Sequence, residues 1–212
     1  MSRLADIRNE YNKGSLEKEE LNKNPFEQFD KWMKEAISAE CNEPTAVTLA
    51  TVNNYLQPNC RIVLLKDVTN NGFVFFTNYN SEKGRELANT RRAALNFFWP
   101  ELERQVRIKG TVERVSEQKS EEYFQSRPRE SQLGAWASSQ SEWVEDGKEL
   151  ISNYTALEKQ YEGKQIPRPT YWGGYIIKAE TIEFWQGRSN RMHDRYQFAK
   201  IDDTWEIKKL AP

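Results

Sequence analysis

The strongest constraint on the fold is a change in hydrophobic period at Pro44, where helical spacing gives way to strict alternation. Alternation over short apolar runs predicts β-strands, and Asn71-Gly72 between two of them is a strong hairpin signal. The predicted strands of this first half cover residues 45–52, 61–66, 73–77, 93–99 and 105–115. Because their connections are short and show no βαβ rhythm, the sequence predicts an antiparallel barrel or closed sheet.

Helices are predicted before and between these strands. Asn24-Pro25 supplies an N-cap and a first-turn proline for an amphipathic helix that ends near Cys41. Ser81 is predicted to cap a short helix through Leu87. Residues 116–162 are predicted to be helical, with Ser116 as a cap, a break at Pro128 and a long amphipathic stretch from about Glu142 to Tyr161.

The C-terminal part returns to strand character. Its predicted strands cover residues 171–179, 181–186, 191–200 and 204–210. We expect them to rejoin the first sheet, which gives one α+β domain. Residues 1–24 are polar and are predicted to form a helical or flexible arm instead of part of the core.

Charge and cysteine content exclude several classes of protein. Lys and Arg number 31 against 32 Asp and Glu, and this net charge of -1 argues against a nucleic-acid binder. Cys41 and Cys60 belong to no metal-ligand pattern, so we expect no metal and a reducing compartment, which is the cytoplasm. The charged N-terminus does not resemble a signal peptide, and no apolar run reaches the length of a membrane span. Seven Trp are unusually many for so polar a chain.

Residues 182–195, IEFWQGRSNRMHDR, carry the most informative pattern. If the chain after the turn is extended, Arg191, His193 and Arg195 project from one face. Two guanidiniums and an imidazole would form a donor set suited to a phosphate or an anionic ring edge. The alternative is a solvated hairpin face with a surface histidine, and Trp185 across the turn could equally be a core aromatic.

Two further segments could contact anions. Arg61 and Lys66 bracket a strand, RIVLLK, and would lie about 16 Å apart, which could hold an extended ligand. Charged residues that merely mark strand ends are the alternative. Tyr123 and Arg127 share a helix face before Pro128, and Ser131, Gln140 and Ser141 follow as neutral donors.

Missing motifs narrow the choice of chemistry. The sequence has no glycine-rich phosphate loop, no GxSxG and no metal-ligand spacing. A P-loop enzyme, a triad hydrolase and a metalloenzyme are therefore poor interpretations.

The same segments resemble the pyridoxamine/pyridoxine 5'-phosphate oxidase family. Residues 182–195 fit its signature at every fixed position, and RIVLLK, LERQV, SRPRESQLGAW and a final Leu-Ala-Pro follow in the family's order. The resemblance extends from Arg8 to Pro212. It implies a mainly antiparallel split β-barrel with peripheral helices over residues 25–212, preceded by residues 1–24 as an arm or lid.

The resemblance also implies ligands and roles. We expect a homodimer with two FMN sites built from both chains, and oxidation of pyridoxamine or pyridoxine 5'-phosphate by O2 to pyridoxal 5'-phosphate. The residues implied to contact FMN are Arg61, Ile62, Val63, Leu64, Leu65, Lys66, Phe76, Thr77, Lys83, Gln105, Gln140, Ser141, Trp185 and Arg195. Those implied to bind the substrate are Arg8, Tyr11, Lys66, Tyr123, Arg127, Ser131, Arg191 and His193, of which Arg191 and His193 would be catalytic.

Two positions depart from the family pattern. Phe76 replaces a usual Tyr, which removes a hydroxyl but leaves a backbone contact. Glu82 stands where the family has an Arg near the FMN phosphate, and a carboxylate cannot replace a phosphate-binding guanidinium. We therefore expect Glu82 to face solvent and FMN affinity to be lower.

Two other functions remain open at this point. A flavin-binding relative of the same barrel would be yellow but would make no aldehyde from pyridoxamine 5'-phosphate. An aromatic-rich barrel that binds single-stranded nucleic acid by stacking would be colourless and salt-sensitive.

Overall fold

A computed structural model describes residues 3–7 and 9–212 of the chain. The α-helices in this part are α1 (Pro25–Ser38), α2 (Glu82–Thr90), α3 (Glu117–Ser126), α4 (Arg129–Ala137) and α5 (Gly147–Gln160). The strands are β1 (Ala46–Val52), β2 (Pro58–Leu64), β3 (Asp67–Thr69), β4 (Gly72–Asn78), β5 (Arg92–Trp99), β6 (Arg104–Arg114), β7 (Trp172–Gln186), β8 (Asp194–Ile201) and β9 (Thr204–Lys209).

The strands form one antiparallel sheet that curves without closing. Its order is β2-β1-β5-β6-β7-β4-β3, and β8 pairs with the second half of β7 while β9 pairs with β8. Strand β2 is an edge strand, and just beyond its end the Lys66 N–H donates to the Val74 carbonyl of β4 at 2.8 Å. The prediction of an α+β fold with a split, mainly antiparallel barrel is confirmed.

Alternating apolar residues fill the interior of this sheet. Val47, Leu49 and Phe97 are at most 1% exposed, and α1 covers one end by packing Phe29 and Trp32 against the strands. Each such buried side chain contributes roughly 2 kcal/mol to folding. The predicted cap of α1 is present, because the Asn24 side chain accepts the Phe26 N–H at 2.9 Å.

The sequence predicted a hairpin in which residues 61–66 pair with residues 73–77, and this pairing is wrong. Gly72 instead closes a hairpin between β4 and the short strand β3, while β2 pairs with β1. Gly72 has φ +147°, and a Cβ there would lie 2.1 Å from the Ile177 carbonyl oxygen, so glycine is required. The sequence signal therefore marked the correct turn but not the strand before it.

Two other boundaries differ from the predictions. Residues 171–179 and 181–186 form the single strand β7, and Glu180 is a bulge between the pairs Gly110–Ala179 and Lys109–Thr181. The long helix predicted from Glu142 begins only at Gly147.

The predicted polar arm is partly integrated into the body of the protein. Leu16 and Leu21 are at most 9% exposed and belong to the main core. The expectation that residues 1–24 contribute nothing to the core is therefore wrong for this stretch, because two apolar side chains anchor it.

Two features are absent from the described residues. No described helix combines the length and hydropathy that a membrane span requires. The described side chains also contain no group of three or more His, Cys, Asp or Glu that could hold a metal ion. Cys41 and Cys60 are both free thiols.

Candidate active site

A cavity of about 590 Å³ opens beside β2 and β4 and is covered by α3 and α4. It brings together segments that are distant in sequence. Eleven of the predicted ligand-contacting residues line it: Ile62, Val63, Leu64, Lys66, Phe76, Thr77, Lys83, Tyr123, Arg127, Ser131 and Gln140. Most of the predicted FMN and phosphate contacts thus converge on one space.

Arg127 is the least satisfied group in this cavity. Pro128 ends α3 and holds Arg127 extended, with its guanidinium 4.6 Å from the Trp172 ring centre. Its Nη1 is buried and has no hydrogen-bond partner among the described residues. Burial lowers the pKa of Arg127, since a desolvated cation is disfavoured. A buried N–H without an acceptor is costly, so an anionic ligand that accepts from Nη1 would stabilise the half-buried guanidinium.

Three aromatic rings form a stack beside Arg127. Phe76 lies 3.9 Å from Tyr123 with a 19° angle between the planes, and Trp172 lies 5.6 Å from Phe76 at 12°. Burial raises the pKa of Tyr123, and Arg127 opposes that shift. The Tyr123 phenol therefore remains protonated and can donate a hydrogen bond to an anion. Trp172 lines the cavity but was not among the residues predicted from the sequence.

Lys83 supplies another cation to the lining of the cavity. Ser81 caps α2 by accepting the Gly84 N–H at 3.3 Å, which places Lys83 in the first helical turn. Its Nζ donates to Gln140 Oε1 at 3.1 Å, and Thr77 Oγ1 donates to the same oxygen at 3.3 Å. Burial and then the Arg61 charge lower the pKa of Lys83. This arrangement favours an anion near the start of α2.

Arg61 does not line the cavity but lies close to Lys83. Its guanidinium donates to Thr51 Oγ1 and pairs with Glu86 at 3.2 Å. Glu86 is 6% exposed and also accepts the Thr51 hydroxyl at 2.5 Å. Glu86 is a further candidate for the site that was not predicted from the sequence, because its role depends on its pairing with Arg61.

Glu82 is exposed, as the sequence predicted. Leu65 is a core residue, and Ser141 is exposed with φ +71°. Neither of these two belongs to the cavity lining. Arg8 lies outside the described residues, so its predicted contact has no structural description.

The remaining predicted residues form a second cluster around β6, β7 and β8, several strands away from the cavity. Gln105, Trp185 and Arg195 are direct cross-strand neighbours on β6, β7 and β8. The Trp185 ring packs 4.7 Å from the His193 ring and 5.6 Å from the Tyr11 ring. The N-terminal segment therefore reaches this cluster.

Arg195 is held in one orientation by a buried carboxylate. Its Nε and Nη2 lie 2.9 and 2.8 Å from Glu183 Oε1, and its Nη1 donates to the Ala211 carbonyl at 2.8 Å. Glu183 is 6% exposed and also pairs with Arg107 at 3.4 Å. Arg195 has five N–H groups, and these contacts use three of them. One N–H on Nη1 and one on Nη2 are left for a ligand.

The predicted cationic row of Arg191, His193 and Arg195 on one extended strand is wrong. Strand β8 begins only at Asp194, and Arg191 lies in a 3-10 turn, Ser189–Arg191, with φ 61°. Alternation along the sequence could not reveal this turn, which depends on left-handed Asn190 and Arg191. Burial lowers the pKa of His193 most, and Arg191 and Arg195 still lie close enough to lower it further.

Within one chain the cavity and the second cluster lie far apart. A row of direct cross-strand neighbours connects the two groups. From β2 through β1, β5 and β6 to β7, the row consists of Ile62, Thr48, Asn96, Arg107 and Glu183. At about 4.8 Å per strand, Ile62 at the cavity lies roughly 19 Å from Glu183 across a curved face. The two groups therefore face different regions of space in a single chain.

The fold and site define a class of protein: an open antiparallel barrel with a cavity lined by cationic and aromatic side chains. A sequence model described as pyridoxamine 5'-phosphate oxidase matches residues 33–163, and one described as the pyridoxine 5'-phosphate oxidase C-terminal dimerisation region matches residues 172–212. The chain therefore belongs to the pyridoxamine 5'-phosphate oxidase family.

Individual relatives agree with this assignment. The chain is 50% identical over 209 residues to a pyridoxine/pyridoxamine 5'-phosphate oxidase of Neisseria meningitidis serogroup C, covering 99% of both chains. It is 50% identical over 210 residues to that of Trichormus variabilis, covering 99% of this chain and 98% of the relative.

Solved structures support the fold. The crystal structure of PhzG from Burkholderia lata, in complex with tetrahydrophenazine-1-carboxylic acid, has a TM-score of 0.87 and 27% identity over 92% of this chain and 95% of that one. A pyridoxamine 5'-phosphate oxidase-related, FMN binding protein of Nostoc punctiforme has a TM-score of 0.69 at 13% identity, covering 87% of this chain and 97% of that one.

Proposed function

We propose that the protein oxidises pyridoxamine or pyridoxine 5'-phosphate to pyridoxal 5'-phosphate with FMN, and that O2 is reduced to hydrogen peroxide. Ammonia is released from the amine substrate. The observation that carries this proposal is the guanidinium of Arg127, whose buried Nη1 has no hydrogen-bond partner among the described residues, at a cavity also lined by Lys66, Tyr123 and Ser131. These are the donors that a phosphate ester requires, in a member of this oxidase family.

The residues present fit FMN. Strand β2 pairs with β1 on one side only, so alternate backbone N–H and C=O groups near Ile62 and Leu64 are available to a flat ring edge. Lys83 and the start of α2 suit the phosphate, and Thr77 and Gln140 add polar contacts. When bound, FMN supplies the redox chemistry by accepting a hydride from C4' of the substrate and passing the electrons to O2.

The protein's own residues orient the substrate. Arg127, Lys66, Tyr123 and Ser131 anchor the phosphate, so that binding energy remote from C4' fixes the reacting carbon. Arg191 and His193 cover the substrate ring, and Tyr11 packs 5.9 Å from His193 as part of the closing arm. Arg191 stabilises charge that develops on the ring.

We further propose that each complete site contains the cavity of one chain and the second cluster of its partner. The sheet face between them exposes apolar side chains, with Ile62 62% and Phe98 48% exposed. A second copy placed on this face would bury them and would bring Gln105, Trp185 and Arg195 to the other chain's cavity. The free thiols support a reducing, cytoplasmic location.

One experiment tests the function against both alternatives. The purified protein is examined for flavin absorbance, and pyridoxamine 5'-phosphate is then added while aldehyde and peroxide are followed together. We expect a yellow protein that forms both products in equal amounts. A yellow protein without aldehyde would indicate a flavin-binding relative, and a colourless one with salt-sensitive oligonucleotide affinity would indicate the nucleic-acid binder.

Glu82 offers a test of cofactor affinity. Its carboxylate is exposed and acts on Lys83 by raising the pKa of that amine, so it lies near the proposed FMN phosphate. We expect Glu82→Arg to tighten FMN binding about tenfold, which corresponds to ~1.4 kcal/mol from one added charge contact. Fluorescence quenching of FMN titrated with apoprotein measures this, with Glu117→Arg, at the start of α3, as the charge-matched control. An unchanged dissociation constant would place the phosphate elsewhere.

A further inference from the structure

His193 has one of its two ring nitrogens occupied by the backbone. The Arg188 N–H donates to His193 Nδ1 at 3.1 Å. A nitrogen that accepts a hydrogen bond carries no proton, so the proton of the neutral ring lies on Nε2. The surrounding turn therefore selects one tautomer of this imidazole.

The turn that presents the Arg188 N–H is fixed from several directions. The preceding Gly187 N–H donates to the Glu103 carbonyl at 2.8 Å. The Arg188 side chain reaches Asp194 Oδ2 at 3.4 Å, and the Leu16 N–H donates to the same oxygen at 3.2 Å. The donor is therefore held in place by both the strand connection and the N-terminal segment.

The ring is also restrained by its packing. The Trp185 ring lies 4.7 Å away at an angle of 41°, and Tyr11 approaches with its edge at 5.9 Å. Turning the imidazole over would place a carbon where Nδ1 accepts the Arg188 N–H. The hydrogen bond to the backbone would then be lost.

The charges around His193 favour the neutral ring. Burial lowers the pKa of His193 most, and Arg191 and Arg195 lower it further, whereas Asp194 raises it. Near neutral pH the imidazole is therefore uncharged, which is the form that can accept the Arg188 N–H.

We infer that His193 acts on the substrate as a fixed Nε2–H hydrogen-bond donor and not as a proton acceptor. The ligand atom it recognises is an oxygen or nitrogen carrying partial negative charge, and no proton leaves the substrate through this ring. The substrate contact rests on the proposed function, whereas the tautomer rests on the Arg188 contact alone.

The tautomer can be measured directly because His193 is the single histidine of the sequence. In 15N-labelled protein, a long-range 1H–15N imidazole spectrum contains one set of ring signals. Above the titration midpoint we expect a protonated Nε2 and an unprotonated Nδ1, and we expect the midpoint to lie below that of free histidine. A ring protonated at Nδ1, or an even mixture of tautomers, would overturn the inference whether or not the protein oxidises the substrate.

Two substitutions test the role in turnover. The amide nitrogen of Gln reaches the Nε2 end of the ring, whereas that of Asn corresponds to the Nδ1 end. We expect His193→Gln to keep about a tenth of the wild-type kcat and His193→Asn to lose at least a further tenfold, with FMN affinity retained in both. A base contributes about 100-fold or more, so equal losses of that size in both variants would contradict a donor role. Wild-type protein that forms no aldehyde would reject the proposed function instead.

Discussion

Replacement of Arg127 by Ala is expected to raise KM for pyridoxamine 5'-phosphate about 100-fold or more and to lower kcat as well. The guanidinium offers a charge-assisted, forked contact to a phosphate, and loss of such a buried contact costs about 3 kcal/mol. Its Nη1 has no hydrogen-bond partner among the described residues, so little intramolecular bonding is lost. The free energy of unfolding of the apoprotein should therefore fall little. Steady-state kinetics and denaturant unfolding measure the two effects.

Arg129 provides a matched control two residues away. Its side chain is exposed and donates to the carbonyl oxygens of Lys164 and Tyr161, outside the cavity. We expect Arg129→Ala to leave KM unchanged. If Arg127→Ala altered KM by less than about threefold, a difference below ~1 kcal/mol, the substrate phosphate would have to bind elsewhere.

Combining two defective variants in one heterodimer is expected to restore activity if each site is built from both chains. One chain carries Arg127→Ala in the cavity, and the other carries Arg191→Ala in the second cluster. In the purified heterodimer one composite site contains both substitutions and the other contains neither, so about half of the wild-type activity should return. Chains with two different affinity tags are co-expressed, and the doubly tagged dimer is assayed.

The control pairs Arg127→Ala with Lys66→Ala, since both residues line the cavity. Each site of that heterodimer keeps one defect, so no recovery is expected. Equal behaviour of the two heterodimers would mean that each site is contained in one chain, and the proposed arrangement of the dimer would be rejected.

Strand β1 was predictable because side-chain burial alternates along it. Val47 and Leu49 are buried and their neighbours in β1 are not, which is the pattern that the sequence displays. The sequence also indicated an interruption between two strands at Glu180. The structure has a β-bulge at this position within one continuous strand. Gly110 makes that bulge compatible with close backbones, since a Cβ there would lie 1.9 Å from the Lys178 carbonyl oxygen.

The site was predictable only where a local pattern or a family motif marked it. Arg127 and Lys83 follow from the resemblance, and the cavity brings them together. Glu86 and Glu183 could not be found in this way because their roles depend on tertiary pairing with Arg61 and Arg195. The continuation of the predicted turn through Arg191 was missed for a related reason, since left-handed backbone at a non-glycine residue leaves no periodic signal.

The unpaired edge of β2 also bears on production of the protein. Without ligand and partner, this edge presents free backbone hydrogen-bonding groups beside the exposed apolar side chains of Ile62 and Leu64. Such an edge recruits strands from other chains and initiates aggregation. FMN bound at the proposed site would cover this edge before another chain does, so we expect the supply of riboflavin during expression to determine how much of the protein escapes precipitation.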